Sequence, residues 1–352
     1  MCLNFCQLYL IFYRVMPIYK PKIVLITGGA GFVGSNFVNF TLNNHPDTIV
    51  ISFDKLTYAG NLDNLKNTTN HSNHIFVRGD INDSNIVSDL LHKYEIDTVV
   101  HFAAESHVDN SVTQPSTFIQ TNVIGTFTLL EAVRNFWLIE KKWDADNCRF
   151  HHVSTNEVFG EIKRNSSPEN VNCFCIPSSP YSASKAAADQ LVYAHFRTYG
   201  LPVSLSHCSN NYGPHQHHEK LIPFIIKSCI EQKPITIYGN GSNIRNWLYV
   251  EDHCSAIWMI LTMGKIGEFY NVGSDCELDN LSLAKMICAL MDKKLPASKP
   301  YESLITFVPD RPGHDFKYLV NTDKIKKELH WMPKYNLENG LALTIDYYLH
   351  NI

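Results

Sequence analysis

The sequence has no excess of basic charge and no apolar run long enough to cross a bilayer. Lysine and arginine number 30 against 34 acidic residues, which gives a formal net charge of −4. This balance supplies neither a basic stripe for nucleic acid nor a polybasic membrane anchor. The apolar opening stretch, residues 1–15, is too short to span a membrane and lacks the pattern of a cleaved signal peptide. We therefore predict a cytoplasmic protein with a small-molecule partner, no nucleic-acid partner and no membrane partner.

The ten cysteines lack a pattern that would define a metal site or a disulfide framework. They are scattered along the chain, and the only close pairs are Cys2 with Cys6 and Cys173 with Cys175. Neither pair has the spacing of a zinc ribbon. We predict reduced thiols and no metal.

What the sequence does contain is a regular alternation of strand and helix signals in its first half. Short apolar runs alternate with helical patterns and lie at residues 22–27, 48–54, 74–80, 97–103 and 148–154. A long helical pattern from about Thr117 to Ile139 precedes the last of these runs. Such alternation predicts an α/β fold, a Rossmann-type doubly wound parallel sheet with helices on both faces.

The domain organisation follows from where the alternation of strand and helix signals begins and ends. The regular pattern starts just after Met16, so residues 1–15 are predicted to be a disordered or artefactual extension. Residues 16–201 are predicted to form the Rossmann domain with the catalytic residues. After Pro202 the pattern is less regular, which predicts that residues 202–352 form mainly a smaller α/β substrate lobe, with some segments returning to the first domain.

A glycine-rich run, TGGAGFVG, follows the first strand and opens the first helix. There the backbone N–H groups and the helix dipole can hold a pyrophosphate. The residues of this fingerprint are Gly28, Gly31, Phe32, Val33 and Gly34. Further on, Asp54 ends the second strand, where a carboxylate accepts from a ribose diol and repels a 2′-phosphate. The alternative, a tight turn without a ligand, does not explain this acid, so the motif predicts NAD rather than NADP.

The run YSASK places the Tyr181 phenol and the Lys185 ammonium four residues apart, on one face of a helix. The positive charge can lower the pKa of the phenol. Such a tyrosine can take a proton from an alcohol while the neighbouring carbon gives hydride to NAD. Alone, this spacing usually marks a solvated helical face. Here the Tyr181–Lys185 spacing follows a dinucleotide fingerprint and a strand end that bears Thr155. In this context it predicts a short-chain dehydrogenase/reductase.

From about Met16 onward the chain resembles the extended short-chain dehydrogenase/reductases that modify nucleotide sugars, most closely the dTDP-glucose 4,6-dehydratase family. The stretches that carry this resemblance are TGGAGFVGSNF, DKLTYAGNL, HFAAESHVDNS, FIQTNVIGT, PYSASKAA, CSNNYGPHQ, EKLIP, IRNWLYVEDH and DRPGHD. The resemblance implies a homodimer formed through the long helix and the Tyr181 helix. It also implies a nucleotide-hexose substrate, dTDP-glucose or a related compound.

Two sets of binding residues follow from the resemblance. Besides the glycine-rich run, the NAD site is expected to comprise Asp54, Lys55, Leu56, Thr57, Asp80, Ile81, Ala103, Ala104, Ser106, Thr121, Tyr181, Lys185 and Asn211. The nucleotide-sugar site is expected to comprise Ser106, Thr155, Asn210, Lys220, Leu221, Ile235, Ile237, Arg245, Asn280, Asp310, Arg311 and His314. The planar fork of Arg245 suits a diphosphate. Its alternative role is a surface ion pair with Glu251 or Asp252.

The resemblance further implies an internal redox cycle. Tyr181 would take the proton of the C4 hydroxyl, which Thr155 holds, while hydride moves from C4 to NAD. Glu157 would then remove the acidified C5 proton, water would leave from C6, and the hydride would return to C6. The product would be a 4-keto-6-deoxy sugar nucleotide, formed without a metal, and we expect such sugars to supply a pathway such as rhamnose synthesis for a surface polysaccharide.

One residue departs from the family pattern. The triplet of the dTDP-glucose enzymes reads Thr-Asp-Glu, and its aspartate protonates the leaving C6 hydroxyl, whereas this chain has Asn156. An amide cannot act as a carboxylic acid does, and a general acid is typically worth about 10²–10⁴-fold in rate. We expect a slower dehydratase in which Glu157 returns its proton to C6 while Asn156 orients the hydroxyl. The alternatives are a 4-epimerase, against which Glu157 argues, and a non-catalytic binding protein, against which Tyr181 and Lys185 argue.

Further features leave alternatives open. The histidines at 215, 217 and 218 resemble a metal cluster, but imidazoles in loops are more often solvated. His151 and His152 lie on a strand whose alternation points them to opposite faces, so we expect one of them to be packed in the core. Thymine and uracil differ by one methyl group, so the sequence does not separate dTDP-glucose from UDP-glucose.

Overall fold

Twelve strands lie in the part of the chain that the computed structural model describes, residues 18–161, 175–310, 314–318 and 320–351. They are β1 (Ile23–Thr27), β2 (Ile49–Asp54), β3 (His74–Arg78), β4 (Thr98–His101), β5 (Arg149–Thr155), β6 (Val203–Cys208), β7 (Asn210–Tyr212), β8 (Ile235–Tyr238), β9 (Ile244–Tyr249), β10 (Phe269–Val272), β11 (Glu277–Asp279) and β12 (Ile305–Val308). Seven of them form one sheet in the order β10-β6-β5-β4-β1-β2-β3, and all neighbours in it are parallel. The predicted doubly wound parallel sheet is confirmed.

Eleven α-helices lie in the described residues, and those that flank the central sheet cover both of its faces. They are α1 (Phe32–Asn44), α2 (Ser84–Tyr94), α3 (Val108–Thr113), α4 (Pro115–Phe118), α5 (Thr126–Val133), α6 (Pro180–Tyr199), α7 (Leu221–Glu231), α8 (Val250–Met263), α9 (Asn280–Lys294), α10 (Asp323–Leu329) and α11 (Leu337–Asn351). In β1, Val24 and Ile26 pack with α1 and α8, while Leu25 packs on the opposite face with α2 and α5. Because both faces are buried, β1 is a continuous apolar run rather than an alternating one.

The predicted long helix is present but is not a plain α-helix. It runs without interruption from Pro115 to Glu140, and α4 and α5 alternate with two π-helical segments, Ile119–Gly125 and Arg134–Glu140. Proline at the first helical position explains where it begins, because that position needs no backbone N–H. π-helical turns widen a helix locally and often accompany functional sites.

The strand order fixes where a ligand can bind. After β3 the chain crosses β1 and β2 to add β4 on the other side of β1, so the direction of winding reverses between β1 and β4. In open parallel sheets the crevice at such a reversal, outside the carboxyl ends of the strands, is the usual binding site.

The second half of the chain builds a smaller lobe. Strands β7, β9 and β11 form a three-stranded sheet, and β8 pairs with β12. Helices α7, α9 and α11 pack on them around an apolar core that includes Ile226, Ile287 and Leu341. Strands β6 and β10 pair in the central sheet, so part of the chain beyond residue 202 returns to it. The division at residues 201 and 202 stays a prediction, and the extension 1–15 lies outside the described residues.

None of the helices in the described ranges combines the length and apolar character that crossing a membrane requires.

Candidate active site

A cavity of about 850 Å³ lies at the carboxyl ends of β1, β4, β5 and β6 and reaches into the smaller lobe. Most of the residues assigned from the sequence meet in its wall. These are Gly28, Gly31, Phe32, Val33, Gly34, Asp54, Lys55, Thr57, Asp80, Ile81, Ala103, Ala104, Ser106, Thr121, Thr155, Asn156, Glu157, Tyr181, Lys185, Asn210, Asn211, Lys220, Leu221, Ile237, Arg245, Asn280 and His314. Residues more than 250 positions apart in the sequence therefore share one site.

Three assigned residues within the described ranges are not part of this wall. Ile235 is fully buried in the core of the lobe, at the start of β8, whereas the next three residues of the strand, 236–238, reach the cavity. Leu56 packs against the core under α1. Asp310 lies behind the wall, where its Oδ1 is 2.6 Å from Nδ1 of His314. Arg311 lies outside the described residues.

The glycine-rich turn provides a cradle that side chains would fill. Gly28 has φ +68, and a Cβ on it would lie 2.7 Å from the backbone nitrogen of Ala103. A Cβ on Gly34 would lie 2.1 Å from the carbonyl oxygen of Gly28. Gly31 precedes the first residue of α1 and makes no side-chain cap, so the N–H groups of that helix end face the cavity. The geometry suits a diphosphate held by backbone groups.

Asp54 is fixed at the end of β2 by two backbone donors. Its Oδ2 accepts from Ala30 N at 3.0 Å and its Oδ1 accepts from Leu56 N at 2.8 Å. Burial raises the pKa of this carboxyl, and the hydrogen bonds from the backbone oppose that shift. Beside it, Lys55 Nζ lies 2.7 Å from Asp80 Oδ2. Each Asp54 oxygen retains a lone pair, so a ribose diol can bind there.

Three amide oxygens in the cavity wall are buried without a hydrogen-bond partner within the described structure. One belongs to Gln216, and the other two belong to Asn211, after β6, and Asn280, at the start of α9. Buried polar atoms are rarely left unpaired unless a ligand or water satisfies them. The Asn211 oxygen lies on the dinucleotide side and the Asn280 oxygen in the lobe, which fits a cofactor and a second ligand side by side.

The triplet Thr155, Asn156 and Glu157 occupies the end of β5 and the first turn of a short 3-10 helix, Asn156–Phe159. Thr155 Oγ1 accepts from the Glu157 backbone N at 3.3 Å, so the hydroxyl caps this turn. Asn156 is 3% exposed, and its side chain makes no hydrogen bond to another described residue. The triplet is a preorganised end of a strand, with its polar groups at the cavity wall.

Tyr181 enters the cavity from the first turn of α6, which Ser179 and Ser182 begin with a reciprocal capping box. Burial and the nearby Glu157 carboxylate raise the pKa of the Tyr181 phenol well above its usual value, while a hydrogen bond from Thr155 works the other way. A positive charge beside the phenol is therefore needed before it can act as a base near neutral pH.

Lys185, which we expected to supply that charge, is 4% exposed and is held against β5. Its Nζ donates to Val153 O at 2.9 Å and lies 3.3 Å from Nε2 of His152. Behind it, Oδ1 of Asp189 lies 3.3 Å from the same His152 nitrogen. Sequence analysis expected one of His151 and His152 in the core, and both are fully buried because β5 lies inside the sheet.

Sequence analysis missed Asp189 and His207 as neighbours of the catalytic pair. The signal for Asp189 was present, since it follows Lys185 by four residues and Tyr181 by eight on one helical face. His207 gives no such signal, because it reaches Asp189 from β6, where its Nε2 lies 2.9 Å from Oδ2.

In the lobe, Arg245 is 7% exposed and its guanidinium lies over the ring of Tyr318, 4.8 Å from the centroid. It donates to the carbonyl oxygens of Asp315 at 2.9 Å and Phe316 at 3.1 Å. It does not pair with Glu251 or Asp252, so the alternative of a surface ion pair is wrong. The described residues contain no group of three or more His, Cys, Asp or Glu side chains arranged to hold a metal.

The parallel sheet with its β1/β4 crevice, together with the Tyr181–Lys185 pair facing that crevice, defines an extended short-chain dehydrogenase/reductase. Residues 25–344 match the family model described as GDP-mannose 4,6 dehydratase. By this match and by the relatives below, the chain belongs to the nucleotide-sugar 4,6-dehydratase family, with the dTDP-glucose 4,6-dehydratases.

Three similar proteins illustrate the match. A dTDP-glucose 4,6-dehydratase of Xanthomonas campestris pv. campestris (strain B100) is 49% identical over 329 residues, which cover 93% of this chain and 93% of that protein. One of Haemophilus influenzae is 46% identical over 333 residues, covering 93% of this chain and 98% of that protein. The solved structure of DesIV, a dTDP-glucose 4,6-dehydratase from Streptomyces venezuelae with NAD bound, is 40% identical. It superimposes with a TM-score of 0.83 and covers 94% of this chain and 97% of that one.

Proposed function

We propose that this protein is an NAD-dependent lyase that converts dTDP-glucose to dTDP-4-keto-6-deoxyglucose and water. The observation that carries the proposal is one continuous cavity that joins the glycine cradle, the Tyr181–Lys185 pair, the residue triplet and the lobe. Relatives with 46% and 49% identity over almost the whole chain are dTDP-glucose 4,6-dehydratases, which supports the same reaction here.

The wall of the cavity fits NAD. The turn from Gly28 to Gly34 would hold the diphosphate of NAD, and Asp54 would bind the adenosine ribose. The Asn211 amide would bind another polar group of the cofactor. The Asp54 carboxylate would repel a 2′-phosphate, which favours NAD over NADP. When bound, NAD supplies the hydride acceptor for C4 and the hydride donor for C6.

Different residues of the chain would carry out the separate proton transfers of the reaction. Thr155 would hold the C4 hydroxyl while Tyr181 takes its proton, with the Lys185 ammonium stabilising the phenolate. The C4 ketone acidifies the C5 proton, and Glu157, one peptide beyond Asn156 on the same turn, would remove it. Asn156 and Lys185 are 3% and 4% exposed, and their burial limits the access of bulk water to the reacting carbons.

Departure of water from C6 is the step that Asn156 alters. We propose that Glu157 delivers the C5 proton to the C6 oxygen, with the Asn156 amide orienting the hydroxyl. A base for C5 has no use in simple 4-epimerisation, so Glu157 favours dehydration over that alternative. The intact Tyr181 and Lys185 favour an enzyme over a binding protein without turnover.

The lobe would bind the nucleotide. Arg245 is fixed by the carbonyls of residues 315 and 316, so its guanidinium is held in the cavity wall, where a planar cation suits a diphosphate. Asn280 offers an unpaired amide oxygen, and Lys220, which donates to Ser106 O at 3.2 Å, spans from the lobe to the loop after β4. These groups suit the sugar and diphosphate of a nucleotide-hexose.

The test is incubation of the purified protein with dTDP-glucose and, in parallel, UDP-glucose, with the products identified by mass and NMR. Loss of the mass of one water supports the proposal. A product of unchanged mass would replace it with epimerisation, and no product together with tight NAD binding would replace it with a binding role. A higher kcat/KM for UDP-glucose would change the substrate but not the reaction.

We also propose a cytoplasmic homodimer formed through the long helix and α6. The long helix exposes Ile119, Ile124 and Phe127, which are 47%, 43% and 44% exposed, and α6 exposes Tyr193. Such apolar side chains on adjacent helices suit a subunit interface. Sedimentation of the unmodified protein should give a dimer, and Phe127→Glu should give a monomer. A monomeric unmodified protein would exclude this proposal.

A further inference from the structure

A buried cluster of charged and polar side chains, here called the Asp189 network, lies behind the catalytic pair, on the side away from the cavity. The Asp189 carboxylate accepts from Ser154 Oγ at 2.9 Å, and its Oδ2 is 2.9 Å from Nε2 of His207. Its other oxygen is 3.3 Å from Nε2 of His152, and that nitrogen is 3.3 Å from Lys185 Nζ. Asp189 is 5% exposed and His152 is not exposed, so water does not screen these charges.

The charges in this network can be assigned from its surroundings. Burial would raise the pKa of Asp189, but the imidazoles of His207 and His152 bring it well below its usual range, so the carboxyl is ionised. Burial and the nearby Lys185 lower the pKa of His152 to about 4, so this ring is neutral. The Asp189 carboxylate is therefore a buried negative charge separated from the Lys185 ammonium by the His152 ring nitrogen alone, 3.3 Å from each.

Lys185 is poorly placed to stay charged without such a partner. Burial lowers the pKa of its ammonium, and Asp189, followed by Cys208, acts to raise it. Burial raises the pKa of the Cys208 thiol to about 11, so this group is neutral near pH 7. The phenol of Tyr181 is also protonated, which leaves Asp189 as the negative group that supports the ammonium.

The other titratable groups around Lys185 do not replace this support. On α6 it is faced by Tyr181 and Asp189, from β5 by His152, and from β6 by Cys208 and His207. His101 on β4 lies beyond His152, 5.2 Å between ring centroids. Burial lowers the pKa of His101 well below its usual value, so that ring is neutral as well.

We propose that Asp189 is a positioning residue for catalysis: its buried negative charge keeps Lys185 charged, so that the ammonium stays held against β5 by Val153 O and His152. Two of the three ammonium N–H groups are then directed to Val153 O and His152, and the third remains for the cavity. The inference rests on the proposed function, because it gives the charged lysine its task. Asp189 follows Lys185 by four residues and therefore extends the face of α6 that carries Tyr181 and Lys185.

The test compares Asp189→Asn with the control His207→Gln. Asparagine keeps the shape and accepts the same hydrogen bonds but removes the charge, so Lys185 should lose its proton at lower pH. We expect kcat to fall and the alkaline limb of the kcat/KM profile to move down by about one pH unit or more, with little change in KM for dTDP-glucose. Glutamine at 207 retains an N–H for Asp189 and should leave the alkaline limb in place.

A second measurement reads Lys185 directly. Competitive labelling of amines at a series of pH values, followed by peptide mass spectrometry, gives the pH at which Lys185 becomes reactive. That pH should be lower in Asp189→Asn than in the unmodified protein. A slower variant with an unmoved alkaline limb and unmoved labelling would show a structural role and overturn the proposal.

The labelling also separates this inference from the proposed function. If the unmodified protein does not dehydrate dTDP-glucose, the proposed function fails, yet labelling still reports the Lys185 charge. If Asp189→Asn does not fold, labelling of the unmodified protein decides. A Lys185 amine that remains unreactive at neutral pH supports the proposal, and one that reacts as a free base at neutral pH overturns it.

Discussion

The Asn122 side chain forms hydrogen bonds with both the backbone N–H and the backbone carbonyl of Glu105. Asn122 Oδ1 accepts from Glu105 N at 2.8 Å, and its Nδ2 donates to Glu105 O at 3.0 Å and to Ser184 Oγ at 2.8 Å. Asn122 lies in the first π-helical segment and is 1% exposed. One amide therefore fixes the loop after β4, which lines the cavity, to the helix that carries Tyr181 and Lys185.

Asn122→Ala should destabilise the protein by about 1–3 kcal/mol, because it leaves the buried N–H and carbonyl of Glu105 without partners. The free energy of unfolding from denaturant titration measures this effect. Gln120→Ala is the control, since Gln120 is exposed on the same segment and its side chain donates to Asn82 at the surface. Equal effects of the two substitutions would contradict the role of Asn122.

Gly28→Ala should abolish tight NAD binding. An alanine Cβ would lie 2.7 Å from Ala103 N, so the turn or the loop after β4 must move. A distortion of about 1.4 kcal/mol is enough to weaken binding about tenfold. Gly200→Ala is a matched control, since Gly200 has a similar φ of +72 but open space around it. NADH fluorescence titration measures both, and tight binding by Gly28→Ala would contradict the cradle.

Tyr181→Phe should lower kcat by about 10²–10⁴-fold, because it removes the base for the C4 hydroxyl. Phenylalanine retains the edge-to-face contact with Phe118, whose ring centroid lies 6.3 Å away, so the fold and NAD binding should survive. Tyr193→Phe, at an exposed position of the same helix, should have no such effect. A Tyr181→Phe variant that still turns over at the normal rate would exclude Tyr181 as the base.

The parts of the molecule that the sequence predicted well depend on local patterns. Apolar runs bounded by Gly and Asp define β1 and β2, and the glycines between them define the turn. Tyr181 and Lys185 could be paired because the periodicity of one helix brings them together. Ile235 lies in the lobe core instead of the cavity wall, because a motif match does not say how far along a strand the cavity reaches.

The parts that were missed depend on contacts between distant segments. Asp189 meets His152 and His207 through two different strands, and neither spacing is visible along the chain. The π-helical turn around Asn122 likewise depends on packing against the loop at Glu105, not on helix propensity. Such contacts need the fold before they can be seen.

Asn156→Asp should increase kcat for dehydration, by up to the factor of about 10²–10⁴ that a positioned general acid provides. Asn156 is 3% exposed beside Glu157, so a carboxyl placed there would have its pKa raised by burial and by the adjacent negative charge. It would then hold the proton that C6 needs at neutral pH. Release of the 4-keto product measures the rate, and C4 oxidation, followed as transient NADH absorbance, should change little.

Asn156→Ser is the informative companion to this variant. Serine can orient the C6 hydroxyl but cannot donate a proton as a carboxylic acid does. If Glu157 returns its own proton to C6, Asn156→Ser should stay near the unmodified rate, and Glu157→Gln should stop elimination while C4 oxidation continues. An unchanged or lower rate for Asn156→Asp would mean that protonation at C6 does not limit this enzyme, because the added acid would then have no slow step to assist.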